Sequence, residues 1–333
     1  MENQKKLSDI RFSVLDLAPI SEGSHAADAF HNSLDLAQHV EKWGYYRYWV
    51  AEHHNMPGIA SSATSILIGY LAAGTSTMRI GSGGIMLPNH APLVVAEQFG
   101  TLESLYPNRI DLGLGRAPGS DQLTSLALRR GGQTGEEFPQ QLEELRSYFL
   151  PENQGGVRAV PGQGLDIPIY LLGSSGFSAR LAGQLGLPFA FASHFSPENT
   201  MPALKLYRDS FQASAVLDKP YVMVAINVIA ADEDHKAHWL ATSQQQAFLN
   251  LIRRTPTTLK PPVESMDQIW TPYEKMLVQQ QLKTTMIGNS ENVKENLQDF
   301  LRETDADEFI ISSHVYNHAD RLRSYEIVSE LGK

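Results

Sequence analysis

Glu52, His53 and His54 follow directly on the apolar, aromatic run Tyr48-Trp49-Val50-Ala51. A carboxylate beside two imidazoles is equipped for proton transfer, because histidine titrates near neutral pH and a neighbouring carboxylate orients it. Other reactive residue types recur in the same setting, just past a short apolar run. Gly83 and Gly84 lead to Asn89 and His90, and Gly115 precedes Arg116. Gly173-Ser174-Ser175-Gly176-Phe177-Ser178, Ser193-His194-Phe195 and Ser313-His314 each close a further run. If these runs are parallel strands, their carboxyl ends gather the polar groups on one face, where α/β folds place chemistry. His194 and Phe195 would then line the pocket, and Glu52 would either line it or orient a neighbour.

The segment 173–178 is the most specific of these. A glycine- and hydroxyl-rich turn that opens a helix turns free N–H groups and the positive end of the helix dipole outward, which suits a phosphate. Arg116, one strand earlier, would add a charged fork to the same group. Ser174, Ser175 and Ser178 would equally serve as helix caps. Adjacent residues in extended chain point to opposite sides, so His53 and His54 do not form a metal pair, and no metal is expected. The segment 113–119 has the look of a dinucleotide fingerprint. Pro118 occupies its third-glycine place, however, and no helix is expected to open there, so a nicotinamide site is excluded. His25, His31 and His39 fall on or near the first helical segment and are expected at the surface.

Those side chains need a frame, and the hydrophobic pattern supplies one. Strands are predicted over 11–17, 46–51, 78–83, 110–114, 169–172, 189–192, 221–230 and 308–312. Between them Ala27, Phe30, Leu34, Ala37 and Val40 recur at helical steps, and helices are predicted over 62–75, 92–106, 138–149, 290–303 and 317–331. Further helices are expected to begin near Ser175, Asn199 and Asp232. Eight β/α repeats without a break in composition predict a single (β/α)8 TIM barrel domain over 1–333, with a doubly wound sheet as the alternative. Two stretches leave the rhythm. Residues 151–166 are Gly/Pro-rich and suggest a surface excursion. Residues 255–283 carry four prolines, Pro256, Pro261, Pro262 and Pro272, and suggest either a lid inserted before the last strand or a disordered loop.

Composition narrows the function classes. The 333 residues are 42% hydrophobic and 19% charged, ordinary for a soluble globular chain. With no cysteine, disulfides, thiolate metal sites and cysteine nucleophiles are all excluded. A net charge of −10 argues against nucleic acid or an anionic membrane as the main partner. No apolar stretch follows the first residues, and the most apolar helical run, 66–73, is far shorter than a bilayer span, so a cytoplasmic location is expected.

Taken in order, the motifs resemble the bacterial luciferase-like flavin monooxygenase superfamily, over most of the chain. The anchors are Trp49-Val50-Ala51-Glu52-His53-His54, Gly81-Ser82-Gly83-Gly84-Ile85-Met86-Leu87-Pro88 and Asn108-Arg109-Ile110-Asp111-Leu112-Gly113-Leu114-Gly115-Arg116. Gly173-Ser174-Ser175 with Gly186-Leu187-Pro188, and Ile287-Gly288-Asn289, complete the set, and Asp16-Leu17-Ala18-Pro19-Ile20 is similar to the alkanal-monooxygenase-like branch. The resemblance implies FMN held by Arg116, Ser174, Ser175, Gly176 and Ser178, a cis peptide at Gly83-Gly84 against the flavin ring, and His53 as the catalytic histidine. It implies a reaction of reduced flavin with O2 through a C4a-hydroperoxide that oxidises a small organic substrate, with reduced flavin supplied by a separate reductase. It also implies a homodimer in which His54 meets Glu97 of the partner subunit. A sister branch uses F420 for hydride transfer, and some relatives bind flavin without turnover, so both stand as alternatives. Bacterial luciferase carries a carboxylate in place of Ser174 and a cysteine in place of Gly115, so light emission is not implied.

Overall fold

The computed structural model describes residues 5–116, 121–128, 135–152 and 156–333. Its strands are β1 (Arg11–Asp16), β2 (Arg47–Val50), β3 (Arg79–Ser82), β4 (Ile85–Met86), β5 (Ile110–Gly115), β6 (Ile169–Gly173), β7 (Phe189–Ala192), β8 (Val222–Ala230), β9 (Met286–Gly288) and β10 (Glu308–Ser312). Neighbours pair in parallel in the order β10-β1-β2-β3-β5-β6-β7-β8, and β10 also pairs with β8, which closes the sheet into an eight-stranded barrel. The doubly wound alternative is thereby excluded. Strands buried on both faces read as nearly continuous apolar runs. In β8 every residue of Val-Met-Val-Ala-Ile-Asn-Val-Ile-Ala is buried.

Helices alternate with the strands and cover the outside of the barrel. Ala26–Trp43 turns Ala29, Ser33, Leu36, Ala37 and Val40 inward at three- and four-residue steps and stops at Gly44. There φ is 89°, a left-handed stop that glycine adopts without steric cost. Among the described residues no helix is long and apolar enough to cross a membrane.

The barrel interior is layered. Alternation along each strand sends every second side chain inward. The middle is filled by Leu15, Trp49, Tyr170, Ala190, Met223 and Ile310, with Trp49 and Tyr170 meeting edge to face at 5.0 Å between centroids. The lower layer, at the strands' amino ends, is ionic. Arg47 Nη1 donates to Asp111 Oδ2 at 2.7 Å, and its Nε lies 2.8 Å from Glu308 Oε1. Arg79 Nε donates to Asp111 Oδ1 at 2.7 Å, Trp49 Nε1 to Asp111 Oδ2 at 3.0 Å, and Tyr221 OH to Glu308 Oε2 at 2.7 Å. Two guanidiniums therefore face two carboxylates, and this floor is charge-balanced. Glycines leave room for these bulky side chains: in the ladders Gly81 stands beside Trp49 and Asp111, Gly113 stands beside Tyr170, and Gly115 ends β5 at the carboxyl face. A Cβ on Gly113 would stand 2.0 Å from the Ser82 carbonyl oxygen, and one on Gly115 would stand 2.7 Å from Met86 Sδ.

The structure corrects several expectations. Residues 255–283 are not a loop throughout. They include the helix Pro272–Gln281, capped by Thr271 and Glu274, and they pack through Met266 and Val278 on Leu249. The excursion over 151–166 is not merely superficial, since Ala159 is buried and Gly162 backs onto the helix Pro92–Leu105 so closely that a Cβ on Gly100 would meet it at 2.3 Å. A short helix, Gln122–Ala127, does follow Arg116. A missing helix is therefore no ground for excluding a dinucleotide site; the ground is that Gly113 and Gly115 lie inside β5, while Pro118 and Gly119 fall outside the described residues.

Removing one partner from a buried, paired charge set leaves the others uncompensated and costs about 3–5 kcal/mol. Arg47→Ala should lower unfolding stability by that order in a denaturant titration; a loss under 1 kcal/mol would show that the floor does not need its guanidinium.

Candidate active site

The carboxyl ends of the strands bring together most of the residues singled out above. Trp49 and Ala51 belong to the barrel interior, so the inward face continues to His53, while Glu52 and His54 share the opposite side. By the same alternation Ser174 continues from Tyr170, His194 from Ala190, and His314 from Ile310. His53, His194 and His314 are close enough to disfavour one another's protonated forms. Burial lowers the proton affinity of all three. For His194 it outweighs the Ala225 carbonyl and brings the pKa down to about 4. For His314 burial, then His194 and Arg321, bring it to about 4. For His53 burial and His54 act downward, against Glu52. The mouth therefore presents neutral imidazoles at pH 7. His194 Nδ1 lies 3.3 Å from the Ala225 carbonyl oxygen, and an N–H on that nitrogen leaves Nε2 as an acceptor. Phe195 stands exposed on the rim.

Next to the imidazoles is a site with the chemistry of an anion cradle. Arg116, directly after β5, lays its guanidinium 4.3 Å from the centroid of Phe177, the second residue of the helix Gly176–Leu185. The stacking brings Arg116 to the start of the helix that follows Ser174 and Ser175, and among the described residues it has no carboxylate partner. Ser175 occupies the cap position in extended conformation yet makes no side-chain hydrogen bond to the helix, so capping does not account for it. Gly173 is needed for closeness: a Cβ there would sit 2.7 Å from Ser178 Cβ. On the other flank of β5 the peptide Gly83-Gly84 is cis, and a Cβ on Gly84 would stand 2.7 Å from the Gly113 carbonyl oxygen.

Glu52 does not line this mouth. It is 1% exposed and turned to the outer side, where it accepts from His54 Nε2 at 2.9 Å, His90 Nε2 at 2.9 Å, Asn89 Nδ2 at 3.2 Å and the Met86 N–H at 3.0 Å. Burial pushes its pKa up, but the donors, His54 and His90 first, outweigh burial and hold the carboxyl at about 2. His54 is consequently engaged within its own chain. Glu97 lies on the helix Pro92–Leu105, partly buried.

The segment 255–283 straps the face. Leu259 exchanges backbone hydrogen bonds with Ile20 and Glu22 in the loop after β1. Thr284 Oγ1 donates to the Ser193 carbonyl at 3.1 Å, and Gln281 Nε2 donates to that of Phe195. Two residues of the mouth had no role assigned from sequence. His314 was visible as a strand-end histidine. Asn227, whose buried Oδ1 lacks a partner among the described residues, sits inside the apolar run of β8 and gave no signal.

Comparison with known proteins fits this geometry. The model of the family described as luciferase-like monooxygenase matches residues 10–326. A luciferase-like monooxygenase of Escherichia coli is 57% identical, over 97% of this chain and 97% of its own. The N-acetyl-S-alkylcysteine monooxygenase of Bacillus subtilis is 34% identical, over 96% and 98%. The crystal structure of apo-MsnO8 superposes with a TM-score of 0.87 at 31% identity, over 97% of this chain and 98% of that one. The same fold recurs at 18% identity and TM-score 0.73, over 96% and 97%, in the oxygenating constituent of 3,6-diketocamphane monooxygenase from Pseudomonas putida, in complex with FMN. It recurs at 14% and 0.69, over 98% and 99%, in an F420-dependent secondary alcohol dehydrogenase.

The depressed histidines carry a pH signature. For His194 and His314 the folded pKa of about 4 lies below the ordinary histidine value of 6.5, so between those limits the unfolded chain binds protons that the folded chain does not. Their contribution is whole above 6.5 and lost as pH falls to about 4, at no more than about 1.4 kcal/mol per pH unit for each proton. Urea midpoints measured across this window should fall less steeply in a His194→Asn/His314→Asn double variant than in the parent; equal slopes would contradict the assignment.

Proposed function

The chain belongs to the luciferase-like monooxygenase family, and from that premise we propose that it is an FMN-dependent monooxygenase that uses reduced flavin and O2 to oxygenate a small organic substrate. The observation that carries this reading is the Arg116 guanidinium over Phe177 at the start of Gly176–Leu185. A planar cation, an uncapped helix start and three serine hydroxyls form a donor set that matches a phosphate. The glycine pair at 83–84, across β5, supports a flat ring lying on backbone. FMN carries both groups. That one distant fold relative binds FMN and another is F420-dependent supports a flavin-type cofactor.

A bound reduced flavin would supply the two electrons with which one oxygen atom of O2 goes to the substrate and the other leaves as water. The residues of this chain have separate tasks. Arg116, Ser174, Ser175 and Ser178 hold the phosphate, with Gly176 opening the helix beside it. His53, neutral at working pH, takes or returns a proton at the reacting centre. The strap over 255–283 and the apolar rim at Phe195 limit water, which protects a reactive oxygen species from unproductive loss. The chain has no nicotinamide fingerprint, so a separate reductase supplies the reduced flavin. We also propose a homodimer. Ile66, Tyr70, Val94 and Leu105 are 75%, 39%, 43% and 63% exposed on the two neighbouring helices Thr64–Ala73 and Pro92–Leu105, and Glu97 belongs to the second. His54, with Nε2 held by Glu52, keeps Nδ1 for a contact across that face.

Two measurements test these readings. Arg116→Ala should weaken FMN binding at least tenfold in a fluorescence titration and leave the weaker binding of riboflavin unchanged, since a charged hydrogen bond contributes about 1.5–3 kcal/mol. Preferential binding of F420, or an equal loss for riboflavin, would contradict the proposal. Light scattering should report a dimer for the parent and a monomer for Leu105→Glu; a parent monomer would remove the assembly.

A further inference from the structure

The site has one ionised group that its proposed chemistry does not use. Glu52 is buried next to His53 in sequence, yet its oxygens serve groups on the far side of the chain. A buried carboxylate is tolerated only when donors surround it. The donors here come from two separate loops: His54 from the loop after β2, and Met86, Asn89 and His90 from the segment after β3. Met86 pairs with Gly115 in the β4–β5 ladder and lies two residues beyond Gly84. One side chain thus fastens the backbone that carries the glycine pair to the loop that carries His53.

We propose that Glu52 is the positioning residue of the mouth: its carboxylate locks the turn at Met86 and the imidazoles of His54 and His90 into one unit, and its fixed negative charge sets how readily His53 takes a proton. Four titratable groups bear on the charge of His53. Glu52 and His54 flank it in its own loop, His194 approaches from the loop after β7, and His314 from the loop after β10. Burial and the neighbouring imidazoles, when protonated, all act against a proton on His53. Glu52 alone favours one. Without that carboxylate His53 would be a weaker base, whereas a mobile carboxylate facing the mouth would repel developing negative charge there. Holding it behind the imidazole meets both requirements.

This inference rests on the mouth being the reacting site, but its test needs no flavin, so it can fail or succeed apart from the cofactor reading. His53 is titrated by NMR in the flavin-free protein, assigned by comparison with His53→Gln, and the exchange rate of the Met86 amide is followed in parallel. In Glu52→Gln the His53 midpoint should move down and the Met86 amide should exchange faster. If Glu52 were only a structural strut, its loss would open the loop, expose His53 and move the midpoint up. A midpoint that rises or stays put in Glu52→Gln overturns the proposal. Should that variant fail to fold, Glu52→Asp carries the test, since it keeps the charge but is one methylene short of Met86. Its midpoint should stay near the parent value while Met86 exchanges faster; a midpoint shifted from the parent, or unchanged exchange, overturns the proposal.

Discussion

A guanidinium sealed inside a barrel survives only if carboxylates meet it, and Arg47 is met by Asp111 from β5 and Glu308 from β10. These three strands stand apart around the barrel, so the pairs act across its interior rather than along one sheet edge. Losing either carboxylate would leave two guanidiniums against one buried carboxylate, which is why register and closure of the barrel are bound to this floor. Arg79, Trp49 and Tyr221 bring further donors, so both carboxylates are held by several partners at once. Everything above the floor inherits that geometry. The apolar layer of Leu15, Trp49, Tyr170 and Met223 seats on it, and the strand ends are presented in fixed register at the opposite face.

The same sorting of charge recurs at the mouth. Fixed charges stand behind the working surface: Glu52 among its donors, and Asp16 with Arg321 at 2.6 Å on the outer side of β1. Facing the interior are neutral imidazoles, serine hydroxyls and bare glycine backbone. Arg116 is the charged side chain on this face that lacks a carboxylate partner among the described residues, and it is directed to the helix start rather than to the histidines. A surface of this kind separates two tasks, holding an anion at one side and exchanging protons at the other. That division suits oxygen chemistry, in which a charged or wet environment at the reacting atoms promotes unproductive loss.

Much of this was legible in the sequence, and the limits have physical causes. Short apolar runs located all eight barrel strands, and the polar residues at their ends located the face. What failed was information held in distant partners. Glu52 looked like a pocket residue because three of its donors, Met86, Asn89 and His90, lie 34, 37 and 38 positions away. Arg47 and Glu308, 261 positions apart, carried no mark of their pairing. The helix Pro272–Gln281 was obscured by its own proline. Among four prolines Pro272 suggested a loop, yet it occupies the first helical position, where a missing N–H has no cost, inside a Thr271–Glu274 capping box. Short strands such as β4 and β9 have too few residues to show a period.

The central claim is that the carboxyl face of this barrel is a flavin site built on Arg116, the serines of the β6 turn and the Gly83-Gly84 peptide. A crystal structure of the protein soaked with FMN tests it most directly. The account predicts the phosphate between Arg116 and the Ser174–Ser178 turn, the ring on Gly83-Gly84, and His53 within hydrogen-bond reach of its edge. Flavin bound with its phosphate away from Arg116, or its ring outside the barrel mouth, would contradict it.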